Sequence, residues 1–406
     1  MPPKRPAAAL RILLCALMLL PLTGCGRGVA KDHPDRTEFV SVAQLKIDAV
    51  SETASYSGPE YMDGTVCVYD SFAVDPNGSY SFNPYGSGAT GVTTPMVIDL
   101  QTGEARELGI SFPYFLEDGT WFNLDPYQEL YWYRDGLWYL FLREETRNGK
   151  LYTFDETTGE LERFVDLNGG VKSVLLTGDT LYVTIFQSET TLMEVDLNTG
   201  EVTELALLEQ QELSSSYRMT LLECTEQTLY IKEQYSPSNR QQVGIFEVSS
   251  GDGIRFAFRI LAVDRATGEV TEVTDWLSGR SVSNACGRLL CFVDLDRATV
   301  RTVDLVTGEI CEAVNEQADT IVSEASACGR VIVTVNLRAY LYDPVSGESL
   351  PIPYCGYDIV RLIRETPSQV VFRARTEDGV DDWVADREAF AEGRMDETNT
   401  FRLTDR

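Results

Sequence analysis

One phrase recurs along this chain and limits what it can fold into. It reads Asp-x-x-Thr-Gly-Glu, once with Ser for Thr, at Asp99-Leu-Gln-Thr-Gly-Glu104, Asp155-Glu-Thr-Thr-Gly-Glu160, Asp196-Leu-Asn-Thr-Gly-Glu201, Asp264-Arg-Ala-Thr-Gly-Glu269, Asp304-Leu-Val-Thr-Gly-Glu309 and Asp343-Pro-Val-Ser-Gly-Glu348. Each copy follows a short apolar run, such as Leu192 to Val195 or Val300 to Val303, and precedes an alternating one such as Glu201 to Leu205. An Asp side chain can bond the backbone two residues on, and Gly takes a positive φ at little cost. Each phrase therefore predicts a β-hairpin.

A second set of turns keeps step with the first, at Asp63-Gly64, Asp135-Gly136, Gly178-Asp179, Glu226-Gln227, Cys286-Gly287, Cys328-Gly329 and Pro367-Ser368. A β-branched or aromatic run follows each, as in Leu181 to Phe186 and Val331 to Val335. Two hairpins per unit make a four-stranded antiparallel module. The phrase aspartates lie 56, 41, 68, 40 and 39 residues apart, a base period near 40 with two enlarged units. That period is the size of a β-propeller blade. A seventh unit ends the chain: Trp383-Val-Ala-Asp386 stands where a third strand belongs, and a longer, helix-compatible connection over Arg387 to Glu397 replaces the turn. The expectation is all-β, a single propeller of seven four-stranded blades over residues 37–406. Eight blades result if Thr37 to Tyr56 contributes to another unit, and a non-propeller all-β array is the remaining alternative.

From about residue 55 onward these repeats resemble the blades of quinoprotein-like and related bacterial propellers. The resemblance implies fold far more than function. The tryptophan-docking pattern of quinoprotein dehydrogenases is missing after the turns, so a quinone cofactor is not implied.

The amino terminus reads as a processing signal. Lys4, Arg5 and Arg11 precede the apolar run Ile12 to Leu20, which is too short for the roughly 20 residues a membrane span needs but suits a secretory leader. Leu22-Thr23-Gly24-Cys25 closes it and resembles the lipobox of bacterial lipoproteins. That resemblance implies cleavage before Cys25, a diacylglycerol on its thiol, and two-signal anchoring in the cell membrane on the outer side. Residues 1–24 are then the leader and 25–36 the lipidated cysteine with a flexible tether.

Removing the leader takes three basic residues and no acid, so the formal charge of −29 becomes −32. Such a charge repels phosphate backbones and excludes nucleic acid as a natural partner. Seven cysteines remain besides Cys25, an odd number with no C-x-x-C pair, which indicates neither a disulfide framework nor a zinc cluster.

Three insertions depart from the repeat, at Asp75 to Pro95, Ile110 to Gln128 and Glu233 to Phe258. In the propeller scheme all three emerge at the blade end opposite the tight turns. Loops on a rigid scaffold are where binding residues concentrate. Tyr85, Tyr114, Trp121, Tyr127, Tyr235 and Arg240 are the ligand-binding candidates, expected to be partly exposed and to converge on one face. Aromatic side chains mixed with polar groups suit a surface protein, peptide or glycan.

Catalysis finds less support, and no catalytic, cofactor or metal residue is assigned. The only histidine, His33, lies in the tether, which removes the imidazole base of Ser and Cys hydrolases and the usual zinc ligand. Gly86-Ser-Gly88-Ala-Thr-Gly91 is followed by Val92-Thr-Thr-Pro95 and not by a helix-forming segment, so it lacks the phosphate-binding context. The acidic run Glu377 to Asp382 lacks the spacing of a calcium loop, and the paired Ala-Cys-Gly-Arg at 285–288 and 327–330 reads as an echo between related units. The leading function is a membrane-anchored extracytoplasmic binding or assembly module, with a carboxylate-based hydrolase or lyase at the propeller mouth as the alternative.

Cys25→Ala is expected to yield unprocessed or released protein, whereas the native chain partitions into detergent and carries a lipid mass on its first residue. Mass spectrometry of a soluble native chain that begins elsewhere overturns the anchor.

Overall fold

The computed structural model describes residues 40–43, 66–72, 93–99, 105–112, 114–115, 121–124, 131–144, 149–186, 188–208, 216–236, 241–243, 246–248, 256–279, 281–286, 288–294, 299–314, 321–335, 338–352, 360–365, 368–376 and 379–402. They are mostly β-strand. Their strands form eight antiparallel sheets, one of them a lone hairpin of Gln241–Val243 with Phe246–Val248.

In chain order, the first of the other sheets joins Val66–Phe72, Thr93–Asp99 and Ala105–Glu107. The second joins Tyr131–Arg134, Leu137–Glu144, Gly149–Asp155 and Glu160–Asp166, the third Gly170–Thr177, Thr180–Phe186, Thr190–Asp196 and Val202–Leu208. In the fourth, Ser216–Cys224, Thr228–Ser236 and Phe256–Asp264 are followed by an outer strand in two pieces, Val270–Glu272 and Leu277–Gly279. The fifth holds Ser281–Cys286, Leu289–Asp294, Thr299–Asp304 and Ile310–Val314, the sixth Ile321–Ala327, Arg330–Val335, Arg338–Tyr342 and Ser349–Pro351. The seventh joins Val360–Glu365, Gln369–Thr376, Gly379–Asp386 and Thr400–Arg402. Within each sheet, chain neighbours are sheet neighbours, the meander that short hairpins produce.

The phrase makes the turn between third and fourth strands. In five copies the Gly amide donates to the Asp carbonyl at 2.8 Å, with the Gly at φ between +72 and +75°. The Asp carboxylate accepts the amide two residues on, at 2.7 Å from Thr157, 2.7 Å from Asn198, 3.0 Å from Ala266, 2.9 Å from Val306 and 2.8 Å from Val345. The amide of the residue after the phrase Asp then donates to the neighbouring tight turn, Leu197 to Asp179, Arg265 to Gln227 and Leu305 to Arg288. The two sets of turns therefore lie at one end of each sheet and lock to one another. In the fifth sheet Arg288 also clamps Asp304 through both guanidinium nitrogens, so the first Ala-Cys-Gly-Arg copy serves the turn. In the seventh, Asp386 instead N-caps the helix α1, Arg387–Ala391, accepting the Ala389 amide at 2.9 Å. Helix α1 and a further Asx turn at Asp396 return the chain to Thr400.

Side chains alternate across the middle strands of the second to seventh sheets, and both faces are buried. Leu181, Val183 and Ile185 pack with the second sheet, while Tyr182 joins the core shared with the fourth. Tyr230, Phe258 and Ile260 meet Leu290 and Phe292 of the fifth, and Ile332 and Leu341 of the sixth meet Val370 and Phe372 of the seventh. A separate core lies at each junction between consecutive sheets from second to seventh, and another packs residues 108–112 on the second sheet. This two-sided burial explains why the middle strands read as continuous apolar runs. Cys224, Cys291 and Cys311 sit in these cores as free thiols, and burial pushes the Cys291 thiol up to about 12.

Two features fell outside the repeat pattern. The first strands of the third to seventh sheets each carry a register shift, at Val171/Ser173, Leu221/Glu223, Val282/Ala285, Ser323/Ala325 and Leu362/Arg364. Such bulges bend a strand and tighten its twist. The described part of the segment weighed for an eighth unit, Val40–Ala43, pairs with Ile310–Val314 and widens the fifth sheet.

The phrase glycines differ in what lies beside them. A Cβ on Gly268 would stand 2.1 Å from the carbonyl oxygen of Leu205 in the third sheet, and one on Gly308 would stand 2.4 Å from that of Val273. Gly159 has the same φ, +74° against +72°, with nothing within 4 Å of such a Cβ. Gly159→Ala is expected to cost about 1–2 kcal/mol, the left-handed backbone cost alone, and Gly268→Ala distinctly more. Denaturant titration of the two variants checks this, and equal losses exclude the contact with Leu205.

Candidate functional site

The end of the sheets opposite the turns is where units differ. In the second sheet the hairpin Tyr114–Phe115 with Trp121–Leu124 joins Leu137–Glu144 beyond Tyr131–Arg134, on the same edge. The segment expected as a loop between units, residues 110–128, is thus partly strand. Ile110 and Phe112 sit fully inside the core shared with Trp138 and Phe154, because a run this apolar gains more from burial than from solvent contact. Tyr114 is half-buried against that core, and Trp121 faces Phe115 in the ladder.

In the fourth sheet both middle strands extend to nine residues, Thr228–Ser236 and Phe256–Asp264. The insertion between them therefore spans 237–255 and is shorter than the sequence pattern indicates. The extension carries Tyr235 into the sheet. The expectation that Tyr235 is partly exposed is not met: its side chain is 0% exposed, with its ring 5.3 Å from that of Trp276 and its hydroxyl donating to Glu233 Oε1 at 3.3 Å. Tyr85, Tyr127, Arg240 and Cys25 lie outside the described residues. The described candidates thus fall on two sheets with the third between them.

Around Tyr235 stands an ionic cluster that the sequence pattern did not single out. Glu233 and Arg259 are directly opposite in the ladder, and the Arg259 side chain donates from Nε to Glu233 and from a terminal nitrogen to Glu272. Its guanidinium also lies 4.9 Å from the centre of the Trp276 ring. Glu233 is fully buried and Arg259 nearly so, while Glu272 is exposed. Tyr235, Trp276 and the two carboxylates surround one cation at the root of the insertion, facing the third sheet. A buried charge needs such pairing, since several kcal/mol of desolvation per ion must be offset.

The other face of the same strand, toward the fifth sheet, carries Lys232. It is 7% exposed, and among the described residues no carboxylate or other acceptor bonds it. Burial, and then the charge of neighbouring Arg218, lower its pKa to about 8. Arg218 is exposed, at the outer end of the first strand. The signal for both charges was present in the sequence. The positions equivalent to Lys232 by pairing register are Thr184, Val293 and Thr334 in the third, fifth and sixth sheets and Arg373 in the seventh, and those equivalent to Glu233 are Ile185, Asp294, Val335 and Ala374. Lys-Glu sets two adjacent charges where the third, fifth, sixth and seventh sheets each carry at most one.

No protein-family model and no curated protein matches the chain. Among solved structures it is similar to an oligogalacturonate lyase in complex with manganese, at 14% identity and a TM-score of 0.45, over 81% of this chain and 84% of that one. It is similar to a puromycin hydrolase at 12% identity and a TM-score of 0.49, over 87% of this chain but 55% of that one. A 6-phosphogluconolactonase homologue from Bacteroides fragilis gives 13% identity and a TM-score of 0.41, over 75% and 90%. These are proteins of β-propeller type. At such scores the likeness assigns neither activity nor ligand to this chain.

Arg259→Met strands Glu233 without its cation and is expected to destabilise by about 3–5 kcal/mol. Adding Glu233→Gln is expected to restore part of that loss, measured by denaturant titration of both variants. Additive losses would mean that the two side chains are not coupled.

Proposed function

We propose that the chain is a membrane-anchored, extracytoplasmic binding module. A lipid on Cys25 holds it at the membrane, and a β-propeller of seven four-stranded blades presents one face to a protein, peptide or glycan. The observation that carries this reading is the asymmetry between the two ends of the sheets. One end is closed by the same hydrogen-bonded turn in unit after unit. The other bears the extra strands of the second sheet, the split outer strand of the fourth, and the hairpin Gln241–Val243 with Phe246–Val248. Rigid repeats with variation concentrated at one end are how loop-borne recognition surfaces are built. Trp121 stands in those extra strands and is a residue type that carries interface energy. Tyr235 supports it from beneath, as a buried strut.

Binding is favoured over catalysis by the side-chain inventory. The sole histidine is at position 33, so residues 37–406 hold no imidazole to activate a nucleophile. The ionic cluster at Arg259 is internally compensated and sits at the base of an insertion, which is the arrangement of a support.

The register allows a direct test. Tyr235 pairs with Ala257, so Ser236 and Phe256 stand opposite one another, and a two-residue Asn-Gly turn can replace 237–255 without shifting the ladder. On peptide and glycan arrays the native mature chain is expected to bind a restricted set of ligands. The shortened chain, with an unchanged cooperative melt, is expected to lose them. Undiminished binding by the shortened chain, or no array signal from the native one, overturns the proposal.

A further inference from the structure

Besides Glu223, which accepts the Cys224 amide at 3.1 Å, Lys232 is the buried charge of the fourth sheet that the cluster around Arg259 leaves out. It stands mid-strand on the face toward the fifth sheet, opposite Thr220 in the first strand. Arg218 lies opposite Gln234, two residues from Thr220, so Arg218 and Lys232 are diagonal neighbours on the same face. Neither has an anionic partner among the described residues. The setting makes this conspicuous, because the chain holds 63 acidic residues against 34 basic ones. Elsewhere Lys150 and Arg163 meet Asp166, Arg288 meets Asp304, and Arg301 meets Glu312.

We infer that Arg218 and Lys232 form a binding site for the oxyanion group of a small ligand, a carboxylate or a phosphate, at the junction of the fourth and fifth sheets. Entry is from the end that bears the insertions. Arg218, exposed near that end, makes the first contact through a guanidinium fork suited to planar oxyanions, and Lys232 supplies a compact charge deeper in. Thr220, between them on the same face, adds a hydroxyl donor. A buried cation without a counter-ion destabilises the empty protein, and an anion that fills the site relieves that penalty. Binding is then coupled to stability, and the protein is tightest when liganded.

The inference rests on the same end of the molecule being the recognition end, but its test does not use the array ligands. Melting of the native mature chain is followed against inorganic phosphate, and separately against acetate, at ionic strength held constant with chloride. A saturable upward shift of roughly 2 °C or more is expected with at least one of them. Lys232→Met is expected to melt above the native chain without added anion and to show no such shift. Arg218→Met, at an exposed position that leaves folding intact, is expected to weaken the response at least tenfold in midpoint concentration. A response to phosphate alone marks a phosphoryl ligand, and a response to acetate as well marks a carboxylate. An absent shift in the native chain, or an equal shift in Lys232→Met, overturns the site. Loss of array binding by the 237–255 replacement with an intact anion response would separate the two readings.

Discussion

A β-sheet whose middle strands are apolar on both sides cannot be stable alone. Every such strand in this chain has two faces to cover, and the short meander within a unit covers neither. The neighbour in sequence supplies the missing surface, so Tyr182 is completed by the fourth sheet and Val183 by the second. Burial on that scale, about 1.5–3 kcal/mol for each large aliphatic or aromatic side chain, makes the units interdependent. It also explains why the turns are so uniform: a sheet pressed between two others has little room to vary where its hairpins meet the next unit. Gly268 against the carbonyl of Leu205 is the sharpest case, since the close approach of two backbones there leaves no space for a Cβ.

The hydrogen bonds of the turn act locally on a problem set globally. The Asp carboxylate takes up amides that the reversal frees, and those bonds hold Asp264 below the usual carboxylate range, chiefly through the Thr267 amide. The seventh unit shows that the carboxylate is what the design needs there, and the Gly turn less so. Asp386 performs the same service for a helix, and the strand that follows still finds its place beside Gly379–Asp386.

Much of the architecture was legible in the sequence because it is periodic. The phrase located the third-to-fourth hairpin in the second to sixth sheets, the second register of turns located the first-to-second hairpin in the second to seventh, and Trp383 to Asp386 marked the last unit's third strand together with the helical connection after it. What the pattern did not carry was where strands stop. Glu233 and Tyr235 were read as insertion because charge and an aromatic after Lys232 break the apolar alternation; in the fold, pairing of Glu233 with Arg259 pays for their burial and lengthens the strand. Residues 110–124 were read as a connection, yet their apolar side chains joined the nearest core. The cationic pair escaped notice for a different reason: Arg218 and Lys232 are fourteen positions apart and become neighbours only through register.

The bulges of the first strands carry a consequence for how such a chain can diversify. Each inserts a residue that has no partner across the ladder: Lys172, Leu222, Glu324 and Ile363 in the third, fourth, sixth and seventh sheets. A cation, an acid and two aliphatic residues occupy these structurally matching places. A position outside the register answers to neither cross-strand neighbour, so exchange there leaves the pairing intact. One place outside the pairing register recurs in unit after unit, and a repeat protein can change its side chain there while the ladder stays fixed.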